Sequence, residues 1–372
     1  MKNILLTALA YCFAIATLLA DETEVEPRLR NMDCIVPVRT DESVMKRINM
    51  LLRAKKDTEK MIGRSATYFP IFDQFIKEYE LPADLKYITC LETELNNSTI
   101  STAGATGIWQ LMQDVRTEFG LRTDAQVDER YDIARASEAA LKDFKRMFKA
   151  YGDWEMTLAG YNCGVGRLGQ AIKRAKSKEF DKVKKFLPQQ TQEYIPKFIA
   201  FSYVMKNYRA HGLRPQLPKL DEQCVGVVKV YNYLSLQTVA NITRVSYDMI
   251  KDMNKHLGEQ FIPESANGFY VMVPRRCMGA LQDYIANPDM QREPELNFLP
   301  ITIDENLPQI EEDPAYFRTT YTVGENETID NLADLFNIGA YNIQLWNNLD
   351  EPRVTAGQEL VLYLPRIVPK KV

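Results

Sequence analysis

Histidine is nearly absent: 372 residues hold two, His211 and His256, and neither stands beside a cluster of other ligand-type residues. Histidine-based zinc sites and Ser-His or Cys-His catalytic pairs are therefore disfavoured, and neither metal nor cofactor is expected. Basic blocks are also missing. With 46 Lys+Arg against 50 Asp+Glu the formal charge is −4, which matches a phosphate backbone poorly, so nucleic acid is not an expected partner. Long apolar runs are confined to residues 1–20, where Lys2 precedes an uncharged stretch that ends abruptly at Asp21-Glu22. That layout is a secretory signal with cleavage after Ala20, and it predicts export to the periplasm or cell envelope. The run is at the short limit for a spanning helix; left uncleaved, it would associate the protein with a membrane. Cys12 follows bulky Tyr11, which disfavours a lipid-attachment reading. Beyond the signal five cysteines remain, Cys34, Cys90, Cys163, Cys224 and Cys277, an odd number for an oxidising compartment. Cys224 and Cys277 bracket one module and are the pair expected to form a disulfide. Cys90 and Cys163 read as small buried thiols.

Apolar residues at three- and four-residue spacing run from about 43 to 211, as in the stripe Ile133, Ala136, Ala140, Phe144, Met147 and Phe148. Helices are predicted over 66–80, 83–93, 106–119, 133–150, 153–162 and 191–209. The periodicity breaks at 212–226, GLRPQLPKLDEQCVG, and again over 287–315, a linker rich in Pro and acidic residues. Two similar pieces flank that linker. Residues 319–365 and 226–276 each read as a short strand, two helical stretches and a strand, an internal repeat of βααβ type.

The chemistry concentrates in LPADLKYITCLETELNNSTISTAGATGIWQLM, residues 81–112. Leu85, Ile88 and Glu92 fall at helical spacing, so Glu92 continues an apolar stripe. A carboxyl at the edge of such a face is partly desolvated, which raises its pKa and suits a general acid. A helix-end Glu paired with a Lys is the alternative, and spacing alone favours it. The small-residue run STAGATG, 101–107, lets backbone approach a ligand or another helix closely. Trp109 reads as core or as a sugar-stacking face, and Gln110 as the better ligand contact.

Together with LAGYNCGVGRL at 158–168 and LPQQTQEYIPKFIAF at 187–201, that segment resembles soluble-lytic-transglycosylase-type catalytic domains, and within them the membrane-bound lytic murein transglycosylase D group. The final repeat, with YTVGENETIDNLADLFNI and AGQELVLYLP, looks like a LysM module, and 226–276 like a diverged copy. The resemblance implies a multidomain chain: an all-α, goose-type lysozyme-like catalytic domain over 43–211, followed by two small βααβ LysM-type modules. It implies a cleft for peptidoglycan glycan strands of alternating N-acetylglucosamine and N-acetylmuramic acid. Glu92 aligns with the catalytic Glu of the family. Ser101, Gln110 and Met112 match cleft positions, Tyr161 and Asn162 the family's Tyr-Asn pair, and Tyr194 the Tyr of the third motif. Two positions depart: Thr93 stands where the family usually has Ser, and Gln190 where it usually has Glu, both assigned to substrate binding. The family places further demands on Glu92, because ordinary glycosidases use two carboxylates. Glu94 projects to another face of the same helix and Asp114 is no better placed, so no convincing second carboxylate emerges. The implied reaction is lytic, with the muramic C6 hydroxyl closing onto C1 to leave a 1,6-anhydro end. An inactive glycan-binding scaffold and a water-using muramidase are the alternatives.

Overall fold

The computed structural model describes residues 25–258, 260–287, 313 and 315–365. The signal-type segment 1–20 and nearly all of the 287–315 linker lie outside the described residues. Helices come first in chain order: α1 Glu42–Arg53, α2 Lys55–Glu78, α3 Tyr87–Thr93, α4 Gln113–Glu118, α5 Ile133–Tyr151, α6 Trp154–Cys163, α7 Val165–Ala175, α8 Phe180–Val183, α9 Gln189–Gln192, α10 Tyr194–Asn207 and α11 Leu220–Gln223. Then follow β1 Val225–Val230, β2 Leu234–Ser235, α12 Leu236–Thr243, α13 Tyr247–Met253, β3 Phe261–Ile262, β4 Phe269–Pro274 and α14 Met278–Ala286. The last module is β5 Tyr316–Thr322, α15 Ile329–Phe336, α16 Ala340–Trp346 and β6 Glu359–Pro365.

Two compact units divide the chain. The first takes residues up to Ile62, Ile76–Glu94 and Ala140–Gln216. Its centre is α10, where Tyr194, Ile195, Phe198, Ile199, Phe201, Tyr203 and Val204 are all buried. A helix apolar all round has no solvent face, so it must sit inside others; α1, α3 and α6 pack against it. Local signals start the outer helices. Asp41 caps α1 by accepting from the backbone N–H groups of Ser43 and Val44, and Asp153 caps α6 by accepting from that of Met156.

The second unit takes Gly63–Phe75, Leu95–Ala139 and the chain from Leu217 onward. Trp109 is fully buried, its ring centroid 5.0 Å from that of Phe72 and its indole N–H donating to Ser137 Oγ at 2.9 Å. The core reading of Trp109 is therefore the one the fold adopts. A helix over 106–119 is not; helix starts only at Gln113. Gly107 (φ 77°) and Gln110 (φ 50°) both adopt left-handed backbone, and Thr106 bridges Leu111, so 106–111 is a tight turn. Asn97 holds this turn, its Oδ1 accepting from Ile108 N at 3.0 Å and its Nδ2 donating to Tyr131 O at 2.8 Å.

The same unit contains both small modules. In the first, β1 and β4 pair antiparallel with Val228 opposite Val271, and α12 and α13 bury Leu236, Val239 and Ile250 against them. In the last, β5 and β6 pair with Thr319 opposite Leu362, over Leu332, Ile343 and Leu360. The shared order is strand, helix, helix, strand; the first module adds the β2–β3 pair and α14. Cys224 and Cys277 are free buried thiols, so the expected disulfide is not formed. Cys277 belongs to the core of its module and its thiol donates to Thr243 O at 3.2 Å, whereas Cys224 lies outside that core.

The terminal module docks onto the middle of α2. Asn342 Nδ2 donates to Ala66 O at 3.0 Å, the hydroxyls of Tyr341 and Ser65 are 2.9 Å apart, and the Tyr341 ring lies 5.0 Å from that of Phe69. Trp346 Nε1 donates to Gln223 Oε1 at 2.9 Å. Tyr341 and Trp346 thus make structural contacts outside their own module.

Candidate functional site

Glu92 lies in the last turn of α3, one helical turn beyond the buried Ile88, and is half-buried. The helix stops immediately after it, because Glu94 (φ 50°) and Leu95 (φ 62°) take left-handed conformations in succession. Such backbone is costly for side chains with a Cβ and persists only where packing imposes it. Thr93 is buried and its hydroxyl donates to Thr89 O at 3.0 Å, which closes the helix end. Glu94 is exposed, and so is Asp114 in the first turn of α4.

Within the first unit, α10 supplies the partners of Glu92. The buried Tyr194 hydroxyl donates to Glu92 Oε1 at 2.5 Å, and Lys197, one turn further along the same helix, adds positive charge. Burial raises the Glu92 pKa above the usual carboxylate range; the Tyr194 hydrogen bond and Lys197 oppose that rise without cancelling it. Among the described residues, the groups acting on it are Tyr194 and Lys197, neither of them a carboxylate. Burial and then the Glu92 charge hold the phenols of Tyr194 and Tyr161 well above their ordinary pKa, so both remain donors. The Tyr161 ring stacks on Phe144 at 4.3 Å, which fixes its plane.

Asn162 follows Tyr161 at the end of α6, and its Oδ1 accepts from the buried Thr191 hydroxyl at 2.8 Å. That bond sets the amide's orientation, so the group offers N–H donors to any ligand. Gln190, singled out from the sequence, is exposed on α9, while its neighbour Thr191 points inward. Sequence reading missed Thr191 and Lys197. Spacing could have found them, since Thr191, Tyr194 and Lys197 recur every three residues.

Ser101, Gln110 and Met112 belong to the second unit, on the turn-rich segment before α4. Ser101 Oγ accepts from Ala105 N at 2.9 Å, and Gln110 Nε2 donates to Thr99 O and Gly107 O. These two side chains brace their own loop. Met112 is exposed. Gly107 is required here, since a Cβ would collide with the Arg130 carbonyl oxygen. The close approach inferred for the small-residue run is to backbone.

Comparison with known proteins places this site in a family context. The transglycosylase SLT domain model matches residues 71–184, and the LysM domain model matches 321–362. Membrane-bound lytic murein transglycosylase D of Escherichia coli (strain K12) is 28% identical over 315 residues, which covers 84% of this chain. The chain spans 66% of that relative's length, just under two thirds. A putative tributyltin chloride resistance protein of Alteromonas sp. (strain M-1) is 29% identical over 117 residues, 31% of this chain and 56% of that one. Among solved structures, the 70 kDa soluble lytic transglycosylase of Escherichia coli aligns with TM-score 0.34 and 14% identity, covering 48% of this chain and 33% of its own. Residues 71–184, including Glu92, Tyr161 and Asn162, carry a transglycosylase SLT domain, and residues 321–362 a LysM domain.

Proposed function

We propose that the chain is a peptidoglycan lytic transglycosylase of the cell envelope, cleaving the β-1,4 bond between N-acetylmuramic acid and N-acetylglucosamine, with Glu92 as its single acid/base. The observation that carries this reading is the desolvated Glu92 carboxyl held at 2.5 Å by the Tyr194 hydroxyl. Because Tyr194 engages Oε1, the transferable proton resides on Oε2. Glu92 donates it to the glycosidic oxygen as an oxocarbenium-like muramic ring forms, and the substrate N-acetyl group helps stabilise that ring. Tyr194 and Lys197 then stabilise the new carboxylate. Ionised Glu92 next takes the proton of the C6 hydroxyl, which closes onto C1 and leaves the 1,6-anhydro end.

Tyr161 and Asn162 orient the sugar, with Gln110, Ser101 and Met112 as further substrate contacts. Thr93 and Gln190 contribute through their neighbours. Thr93 locks the helix end, and Gln190 precedes the Thr191 that orients Asn162. General acid/base catalysis is worth on the order of 10² to 10⁴ in rate, so positioning supplies much of the remainder. The LysM domain and the βααβ module at 226–276, a diverged LysM-like copy, add affinity for acetylated glycan. Export through the N-terminal segment brings the protein to its substrate.

Mass spectrometry of digested peptidoglycan tests this. Products with anhydro ends, one water lighter than hydrolysis products, are expected from the wild type and absent from Glu92→Gln. Reducing ends would indicate a muramidase, no products a scaffold, and wild-type release by Glu92→Gln would overturn the assignment of the acid.

A further inference from the structure

The core of the module at 226–276 is completed by a residue from outside it. Val127, which falls within the SLT match at 71–184, is 1% exposed and belongs to the same apolar cluster as Leu236, Val239, Ile250 and Leu257. Main chain joins the two segments as well. Asp128 N donates to His256 O at 2.9 Å, Gly258 N donates to Gln126 O at 2.8 Å, and Val127 bridges Leu257 in antiparallel sense. Around this seam the Arg122 guanidinium lies 5.4 Å from the centre of the Phe269 ring on β4, and the buried Asp132 and His256 meet with Oδ2 3.8 Å from Nε2.

The segment that completes the module also holds the loop 97–111, which carries Ser101 and Gln110. Arg130 is the link. Asp128 fixes its guanidinium with both carboxylate oxygens, Nε donating to Oδ1 at 2.9 Å and Nη2 to Oδ2 at 2.7 Å, which leaves Nη1 to donate to Gly104 O at 3.2 Å. Beneath the loop the Arg130 carbonyl occupies the space a Cβ on Gly107 would need, and Tyr131 O accepts from Asn97 Nδ2 at 2.8 Å. Asp128 therefore faces the module with its backbone and Arg130 with its side chain. Because Ser101 and Gln110 are bonded within their own loop, a shift of 130–131 would carry both together.

We propose that the 226–276 module braces the loop of Ser101 and Gln110, and that Arg130 is the positioning residue through which it does so. The module then serves substrate placement even with no sugar bound to it, a role separate from glycan affinity. The kinetic consequence rests on the function proposed above, under which Ser101 and Gln110 touch substrate; the mechanical one does not.

The test uses the full chain with one variant on each side of the link. Val127→Ala trims the side chain that fills the module's core, and Arg130→Gln releases both Asp128 and Gly104. Hydrogen exchange read by mass spectrometry follows peptides from 97–111. Their amides are expected to exchange about three- to tenfold faster in both variants than in wild type, while peptides from α10 keep the wild-type rate. Arg130→Lys keeps the charge but not the planar fork, so it should behave like Arg130→Gln. Faster exchange confined to 124–128 and the module, or wild-type exchange in Arg130→Lys, would overturn the proposal. Digestion kinetics give the second readout: KM for peptidoglycan rises about three- to tenfold in Arg130→Gln, with kcat and the alkaline limb of the rate profile unchanged. A lower melting temperature with unchanged KM would reduce Arg130 to a purely structural role and overturn its positioning one. If the wild type releases no glycan fragments, the cleavage reading fails, and the exchange measurement still decides whether the module braces the loop.

Discussion

At the residue scale, the acid/base role proposed for Glu92 would couple stability and activity through one proton. Its pKa is raised in the folded chain, so the protonated form is favoured by folding. The stability it permits is fully present below the unfolded pKa and is lost as pH rises through the folded one. Glu92→Gln removes the buried charge, and its melting temperature is expected to exceed wild type at pH 7 and to match it at low pH. Tyr194→Phe removes a donor that favours the carboxylate, so the Glu92 pKa rises further. The alkaline limb of the rate profile should therefore move to higher pH, with lower kcat because ionised Glu92 is less stabilised. An unmoved limb would show that the hydrogen bond does not govern the acid. From sequence, Glu92 was visible as a carboxyl at the end of an apolar stripe, and Tyr194 as a motif position. Their contact was not visible, because 102 residues separate them. Only the packing of α10 against α3 brings them together.

At the scale of elements, α5 was legible because strong 3.6-residue periodicity marks it, α6 because Asp153 caps it, and α10 because apolar residues run along it on all sides. The 106–111 segment was misread as helix because Ile108, Trp109 and Leu111 mimic that periodicity, whereas Gly107 and Gln110 take left-handed backbone. Gly107→Ala should cost about 2–4 kcal/mol in chemical denaturation, since backbone strain and collision with Arg130 combine. The short α9 matters for a different reason. Thr191→Val retains shape but drops the bond to Asn162, so KM or kcat for glycan should worsen with little change in melting temperature. The sequence pointed to Gln190 because a family position was compared residue by residue; burial, which selects Thr191, is not written in such a comparison.

At the scale of the whole molecule, the repeat of two βααβ modules was legible from matching strand and helix order, since each unit carries its own small core. The docking of the last module was not legible. It depends on Tyr341, Asn342 and Trp346, which inside their own motif read as module residues. Replacing Tyr341 and Asn342 by Ala together should separate the terminal module from α2, and calorimetry should then resolve a second melting transition. One cooperative transition in that variant would mean the contacts add little. The missing Cys224–Cys277 bridge belongs here too, since the first module is held by its apolar core and strand pairing.

The docked indole also makes the molecule its own optical probe. Of three tryptophans, Trp346 is the one whose ring N–H is tied to a residue outside its module, Gln223. With Trp109 and Trp154 replaced by Phe, emission would report on a single ring. A red shift and greater quenching by iodide on adding glycan would register release of the terminal module, and unchanged emission would register that it stays seated while the chain is at work.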